Sequence, residues 1–571
     1  MKHVLAMYDI RGKQAFIFRT NKLKEIAGAS LVIRDLYKDH LIPVAKKVPV
    51  KKEDIPKYDP EKHMFESYKI NHVNESGGIF FYKDQDPGAD FSEELCKKHL
   101  GDGIDSEDSN YIGEVVYEGG GNAIIIFKSM EHFKMVTFLF TKRVMEEIGS
   151  LHVLATAVEC EDFTDYKKDE KELYRIHILN ESKESTIRPW ACLPITQIDR
   201  KTAMPLVKKW NDKKVSKETN AKLRKFKDEE DRRKRKKIKQ AGENANSVDG
   251  ENANSVEDIE NLDYLENVNK FDEFVEKGVN SNIAVIYIDG NNMGAKIANS
   301  LDGQKSYTEC IVSKRQTSKD IQEAYILQGV RNVTKALKEN HYRIVIAAGD
   351  EINFVVKASD ALTCAYAYLA NLYESQAFGG ANSACAGIAV FNSHAPYADA
   401  YSLAEECCEF AKDRMKELKL DKACLLDFHF IQGAMGTSLE EIRKHEELEV
   451  TSRPWLICGE VTGNEKGEKV TRLEDIKELL KLFHKLGRSN VKGLAEAALL
   501  GSVGLDLELR RIKAHLRKEG NPDVEEIRNL LDKWLGRLRT EGEDTNKKQV
   551  RMMIYDAVRI FDEWKDSILE N

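Results

Sequence analysis

The chain has 571 residues, room for about four units at roughly 150 residues each, or for two larger ones with insertions. Apolar residues make up 42%, charged residues 32% and the mean hydropathy is -0.50, which excludes a membrane protein and a wholly disordered chain. The net charge of -8, from 88 Lys+Arg against 96 Asp+Glu, excludes a binder of nucleic acid that is basic throughout. No apolar run approaches the roughly 18 residues a membrane span needs. The start, MKHVLAMYDIRG, resembles a signal peptide, but its apolar run stops at Asp9, so it is read as a first strand. Ten cysteines are too few for a disulfide scaffold, and none forms a C-x-x-C pair that would suggest a zinc knuckle. Adjacent Cys407 and Cys408 fall in a helical pattern and are read as reduced thiols, which together with the missing signal predicts a cytoplasmic protein.

In chain order, HVLAMYDIRG (3–12) predicts a strand ending at Asp9, and 41–110 reads as a loop insertion. VVYEGGGNAIIIF (115–127) predicts two strands about a glycine turn. A helical pattern at 130–149 and an apolar strand at 153–160 follow, then T-x-R-P-W at Thr186, Arg188, Pro189 and Trp190. Residues 208–239 hold 16 Lys/Arg and 6 Asp/Glu, and are predicted to form a solvated helix. Residues 240–276 hold 11 acids and one base. A tandem octapeptide, GENANSVD then GENANSVE, marks 242–260 as a flexible linker.

The same landmarks then recur. IAVIYIDGNN (283–292) ends in Asp289, and a helical pattern covers 321–340. IVIAAGDEINFVV (344–356) is a second hairpin, ACAGIAVF (384–391) a further strand, and 397–418 a helix. Thr451, Arg453, Pro454 and Trp455 repeat the R-P-W motif, which is read as structural: Trp packs, Pro ends a segment and Arg pairs with a carboxylate. His394 is likewise read as a helix-start residue. Each half is ordered β–α–β–β–α–β, the split βαβ plan. The fold class is therefore α+β, with two tandem ferredoxin-like palm domains, a charged insertion and a helical C-terminal domain. The predicted division is 1–205, first palm; 206–280, charged helix and linker; 281–465, second palm; 466–571, helical domain.

In this plan the first strand lies beside the central hairpin. Asp289 is thereby expected to converge with Asp350 and Glu351 of the A-G-D-E turn. Three clustered carboxylates repel one another and call for cations, and Mg²⁺ or Mn²⁺ suits oxygen donors that also meet phosphate. Two such ions can serve a hydroxyl and a leaving phosphate oxygen. These three acids are the candidate catalytic and metal-holding residues. Gly349 frees the turn for a phosphate, and the Gly290 carbonyl is a further candidate donor. Lys412 and Lys416, four apart on one helix, are candidates for nucleotide binding, with Asn292 after the strand; Lys296 is a weaker one. The first half keeps Asp9, but Gly121 and Asn122 stand where Asp350 and Glu351 would fall. That half is predicted to be non-catalytic, its glycines leaving room for a nucleotide or the other palm.

The strand–Asp, the AGDE hairpin and the A-G-I-A-V-F strand resemble the GGDEF-like palm polymerase and cyclase superfamily. The doubled palm, with NKLKEIAGAS (21–30), DGNNMG (289–294) and LDFH (426–429), is similar to the large subunit of type III CRISPR effector complexes. The family's G-G-D-D turn is A-G-D-E here, its N-terminal His-Asp nuclease domain does not precede the first palm, and no zinc-binding cysteine cluster is present. The resemblance implies conversion of ATP into cyclic oligoadenylate in antiviral defence, and it implies that Lys412 meets the triphosphate.

The first expectation is thus a metal-dependent nucleotidyltransferase that makes a cyclic or linear oligoadenylate from ATP. The alternative is an inactive nucleotide-binding sensor or scaffold of an RNA-guided defence complex. A diguanylate cyclase is disfavoured because no R-x-x-D inhibitory site precedes the turn. Expected partners are ATP, other CRISPR effector subunits, and RNA or an acidic protein at 208–239. No membrane partner is expected.

Overall fold

A computed structural model describes residues 2–59, 64–65, 77–81, 111–161, 163–183, 195–243, 268, 270–275, 281–304, 306–337, 342–376, 380, 382–420, 422–431, 438–445, 451–459, 470–516, 522–539 and 544–564. The chain forms two compact units. One comprises Met1–Leu265, Asn292–Leu327 and Val345–Asp350, and the other Glu266–Asn291, Gln328–Ile344 and Glu351–Asn571. The first R-P-W motif and nearly all of the octapeptide linker lie outside the described residues.

The first unit is built on β1 (Lys2–Arg11), with β2 (Tyr58–Asp59) and β3 (Met64–Phe65) forming a small separate ribbon. The main sheet adds β4 (Gly78–Phe80), β5 (Tyr111–Gly119), β6 (Asn122–Phe127) and β7 (His152–Glu161), in the order β4–β5–β6–β1–β7. Taken in chain order, β1, β5, β6 and β7 lie 2-3-1-4, the predicted split βαβ arrangement. Residues 3–10 of β1 are buried without a break, as expected of a central strand covered on both faces.

The basic stretch departs from its reading as one solvated helix. Residues 206–216 form a hairpin, β8 (Leu206–Trp210) and β9 (Lys213–Ser216). Its two turn residues, Asn211 and Asp212, both take positive φ, at 45° and 61°. Two such residues suit the tight turn whose twist matches paired strands. The helix proper is Lys217–Glu243, and its first turns are core. Lys222 is fully buried, and its Nζ donates to Glu218 Oε1 at 2.6 Å and to the Phe16 carbonyl at 2.6 Å. A Cβ on Gly28 would lie 2.1 Å from the Lys222 carbonyl oxygen, so Gly28 lets the Leu23–Arg34 helix close onto this one. Charge density alone hid this contact, because a paired lysine and a solvated one look alike in sequence.

The second sheet comprises β10 (Asn282–Gly290), β11 (Tyr342–Ala348), β12 (Glu351–Lys357), β13 (Ala384–Asn392), β14 (Ala423–Phe430), β15 (Trp455–Gly459) and β16 (Thr471–Arg472). The order is β11–β12–β10–β13–β14–β15–β16. Its first four strands repeat the 2-3-1-4 pattern, so the α+β tandem-palm fold class holds. β14 runs parallel to β13 and extends the sheet.

Among the described residues, five helices follow β16: Leu473–Leu486, Arg488–Leu499, Ser502–Ala514, Pro522–Arg539 and Asp544–Trp564. The second R-P-W motif is the latch that holds the last of them. Trp455 is fully buried, edge-on to Phe428 at 4.8 Å. Arg453 lies 3.4 Å from Asp556 Oδ1, and the Ser452 amide and hydroxyl both donate to Asp556 Oδ2. Trp564 Nε1 donates to the Ala358 carbonyl at 2.7 Å. The structural reading of this motif holds, and Asp556 is the carboxylate it required. His394 stands just ahead of the Tyr397–Glu417 helix, its amide bonded to Asn392 Oδ1 at 3.0 Å, which agrees with a helix-start role.

Candidate active site

β10 carries Asp289 to the edge of the second sheet. It pairs antiparallel with β12 up to Ile288 opposite Ile352, and with β13 so that Asp289 faces Cys385 and Gly290 faces Ala384. Both neighbours are thereby fixed by ladder hydrogen bonds. Glu351 opens β12, and Asp350 precedes it directly in the turn. Gly349 takes φ +65°, and a Cβ there would meet nothing within 4 Å. The turn therefore needs a glycine for its conformation and stays open above it.

Helix Tyr397–Glu417 lies on this sheet and supplies the remaining groups. Its approach depends on Gly387 in β13, where a Cβ would sit 1.9 Å from the Ala404 carbonyl oxygen. Four side chains at 397, 401, 408 and 412, spaced 4, 7 and 4, face the strands. Tyr397 donates to Asn353 Oδ1 at 2.5 Å, and Tyr401 donates to Glu351 Oε1 at 3.1 Å. The Cys408 thiol donates to the Cys385 carbonyl at 3.2 Å. Lys412 Nζ donates to Asp289 Oδ2 at 2.6 Å and to the Gly290 carbonyl at 2.7 Å.

The electrostatics follow from these contacts. Burial opposes the Lys412 charge, but the Asp289 carboxylate outweighs it and raises the lysine pKa. Burial, and then the Glu351 and Asp289 carboxylates, push the Tyr287 phenol far above its ordinary value. Tyr401 is pushed up the same way by burial and Glu351, so it remains a neutral donor to that carboxylate.

Of the residues picked from sequence, Asp289, Gly290 and Lys412 meet directly. Lys416 does not join them: its side chain is exposed and its ammonium pairs with Asp413 at 2.8 Å. At about 100° per residue, Lys416 lies about 100° round the axis from Tyr397, which leaves it outside the engaged face. Asn292 has φ 56° and stands at the N-cap position of the short helix Met293–Asn299, without a side-chain capping hydrogen bond. Lys296 Nζ donates to the Tyr325 hydroxyl at 3.2 Å. Tyr401 was missed; its signal is the spacing of eleven from Lys412, three helical turns on one face.

The donor set fits a hard cation. A carboxylate and a main-chain carbonyl are bridged by one ammonium, so a positive charge already stands between the two oxygens expected to bind metal. Among the described residues, Asp289, Asp350 and Glu351 do not form the group that the sequence led us to expect, one whose donor atoms all lie within 4.8 Å of one another. Among the described residues, the one group of three metal-donor side chains whose ligand atoms all lie within 4.8 Å is His3, Cys160 and Asp169, in the other unit.

The first unit shows what becomes of the same position without acids in the turn. Asp9 faces Asn122 across the β1–β6 pair. Lys13 Nζ donates to the Gly120 carbonyl at 2.6 Å and Asn122 Oδ1 at 3.0 Å, and lies 3.4 Å from Asp9 Oδ1. A Cβ on Gly121 would stand 3.0 Å from Lys13 Cε. The glycines thus admit a lysine of the same unit, where the sequence suggested room for a nucleotide or the other palm.

Two tandem split-βαβ sheets, the second with an acidic hairpin beside a strand-ending aspartate, define a palm-type protein. More particularly, residues 282–419 match the family described as Cas10/Cmr2, second palm domain, so the resemblance seen in the sequence is borne out over this stretch. None of the curated proteins matches the sequence. Similar solved structures include a Csm1–Csm4 cassette in complex with pppApApA, at 13% identity and TM-score 0.46, covering 98% of this chain and 69% of that one. The cassette in complex with AMPPNP gives 13%, 0.45, 98% and 70%. Csm1 in T. onnurineus gives 14%, 0.43, 98% and 69%. No helix among the described residues is long and apolar enough to cross a membrane.

Proposed function

We propose that the protein is a metal-dependent nucleotidyltransferase that joins ATP into a cyclic or linear oligoadenylate, as part of a type III CRISPR defence system. The observation that carries this reading is the Lys412 ammonium seated on Asp289 Oδ2 and the Gly290 carbonyl, in a stretch that matches a second palm domain. Asp289, Asp350 and Glu351 would hold Mg²⁺ or Mn²⁺, with the Gly290 carbonyl as a further donor. Such ions, when bound, neutralise phosphate charge and lower the pKa of a hydroxyl. Tyr401 orients Glu351 through its hydroxyl and stays protonated while doing so. Gly349 leaves space for a polyphosphate at the turn. Lys412 exchanges its carboxylate for a phosphate oxygen when nucleotide arrives. The bond formed joins a ribose 3′ oxygen to an α-phosphorus; pyrophosphate leaves and the hydroxyl proton passes to water.

Incubation of the full chain with each NTP and Mg²⁺ or Mn²⁺, followed by mass spectrometry, tests the proposal. Oligoadenylate from ATP alone is expected, and Asp350→Ala should abolish it. Unchanged turnover in that variant would sink the site assignment. The Lys412–Asp289 pair also supports a second reading, a nucleotide-binding sensor or scaffold in which the ammonium permanently takes the cation's place. ATP binding by calorimetry without any product would select it.

A further inference from the structure

The group His3, Cys160 and Asp169 lies in the first unit and shares no residue with the site assigned above. His3 on β1 and Cys160 on β7 are direct partners in the antiparallel register. Asp169 comes from the Tyr166–Lys183 helix, which covers this face of the sheet. One donor atom from each lies within 4.8 Å of the other two. His3 and Cys160 are buried, and the Asp169 side chain is 16% exposed, which leaves an edge for entry. Tyr307 stands beside them, its hydroxyl 3.1 Å from His3 Nε2 and donating to Asp169 Oδ2 at 3.3 Å.

The surroundings hold the donors in place. Phe163 stacks on the His3 ring, with centroids 3.9 Å apart and planes 3° from parallel. It does so from a backbone φ of 35°, a conformation that a bulky side chain adopts at a cost. Tyr166, Leu173, Cys310 and Ile311 belong to the same buried core cluster as Cys160 and Tyr307. An imidazole fixed by stacking and a hydroxyl within reach of both histidine and carboxylate are the outer supports that ligating histidines use.

We propose that His3, Cys160 and Asp169 form a binding site for one zinc-class divalent ion, with the Tyr307 hydroxyl beside its fourth position. One thiolate, one imidazole and one carboxylate is a mixed set that Zn²⁺ accepts and that Mg²⁺, a ligand of oxygens, does not. On coordination the thiol proton leaves to solvent and sulfur bonds the metal. The site would pin the first strand, the last strand and a helix of the palm together. Cysteine arithmetic along the chain did not find it, because its donors are 157 and 9 residues apart and include a single thiol.

The test is cobalt titration of the chelator-stripped full chain. One equivalent of Co²⁺ should produce thiolate-to-cobalt charge-transfer absorption with tetrahedral visible bands. Zn²⁺ should displace it, and a millimolar excess of Mg²⁺ should not. Cys160→Ser should lose the charge-transfer band. Asp169→Asn, nearly isosteric and at the partly exposed edge, should keep its circular dichroism and bind Zn²⁺ at least about tenfold more weakly. A wild-type protein without the band, a Cys160→Ser variant that retains it, or a folded Asp169→Asn variant with undiminished Zn²⁺ affinity would each overturn the proposal.

Discussion

Lys412→Met removes the cation that Asp289 holds in the second palm and leaves the methylene stem in place. The pair is close, at 2.6 Å, with side chains 20% and 30% exposed. At an effective dielectric of about 20, Coulomb's law gives a gross attraction of about 6 kcal/mol at that distance. Desolvation offsets most of it. Exposed pairs net about 0–1 kcal/mol, and removing one partner of a fully buried pair costs about 3–5 kcal/mol. A pair of intermediate burial should therefore couple by about 1–3 kcal/mol. A double-mutant cycle of Lys412→Met and Asp289→Asn, read by chemical denaturation in EDTA, measures this coupling. The lysine pKa is raised above its ordinary 10.5, so its contribution is fully present at neutral pH. It is lost only as pH climbs through the raised value, and the coupling at pH 7 and at pH 9 should agree. Mn²⁺ should stabilise Lys412→Met more than it stabilises wild type, since the divalent ion restores the missing charge. A coupling below about 0.5 kcal/mol, which is within ordinary non-additivity, would refute the view that this ammonium occupies a cation site.

Gly387→Ala should lower stability by about 1–3 kcal/mol, since overpacking forces helix and strand apart; thermal unfolding measures it. Tyr401→Phe removes a hydroxyl that donates to Glu351, and should cost about 1–2 kcal/mol in divalent-ion affinity or stability, read by Mn²⁺ titration. Arg315 donates to Glu114 and to the Val115 carbonyl, all buried, and burial raises the Glu114 pKa against the pull of that guanidinium. Arg315→Met alone should cost about 3–5 kcal/mol, and pairing it with Glu114→Gln should recover much of that loss. Lys208, Lys209, Lys213 and Lys214 are exposed on the β8–β9 hairpin. Changing all four to Gln should weaken RNA binding and flatten its salt dependence by up to about three units of log–log slope; unchanged binding would move the RNA contact elsewhere.

Much of this was legible in the chain itself. Strand-ending Asp9 and Asp289, the two hairpins and the helix at 397–418 are local patterns, and the 2-3-1-4 order follows from repeating them. Latching by R-P-W was readable in kind, although Asp556, about a hundred residues away, was not. What escaped depends on contacts between distant elements. Lys222 reads as one more charge in a basic run until Gly28 lets a helix close over it. Asn211-Asp212 marks a hairpin turn, but lysines on both flanks hide the strands. Tyr401 carries no motif, and its role appears once the helix face bearing Lys412 is known.

The two halves place a lysine at the same point by different routes, and the difference bears on function. Lys13 follows β1 by two residues and is held by Gly120, Asn122 and Asp9, with Gly121 shaped to admit its stem. Arg11 lies 3.3 Å from the same Asp9 carboxylate. Arg11 also pairs with Glu181 at 2.5 Å, so two cations and two carboxylates already satisfy one another there, and the turn residues are neutral. Lys412 comes instead from a helix over 120 residues further along the chain, and its long stem can swing without breaking the strand that carries Asp289. The second turn keeps Asp350 and Glu351 where the first has Gly121 and Asn122. One ammonium against a strand-ending aspartate thus recurs in both halves, held in the first by the Gly120 carbonyl and Asn122 beside Asp9, and in the second by the Gly290 carbonyl beside Asp289.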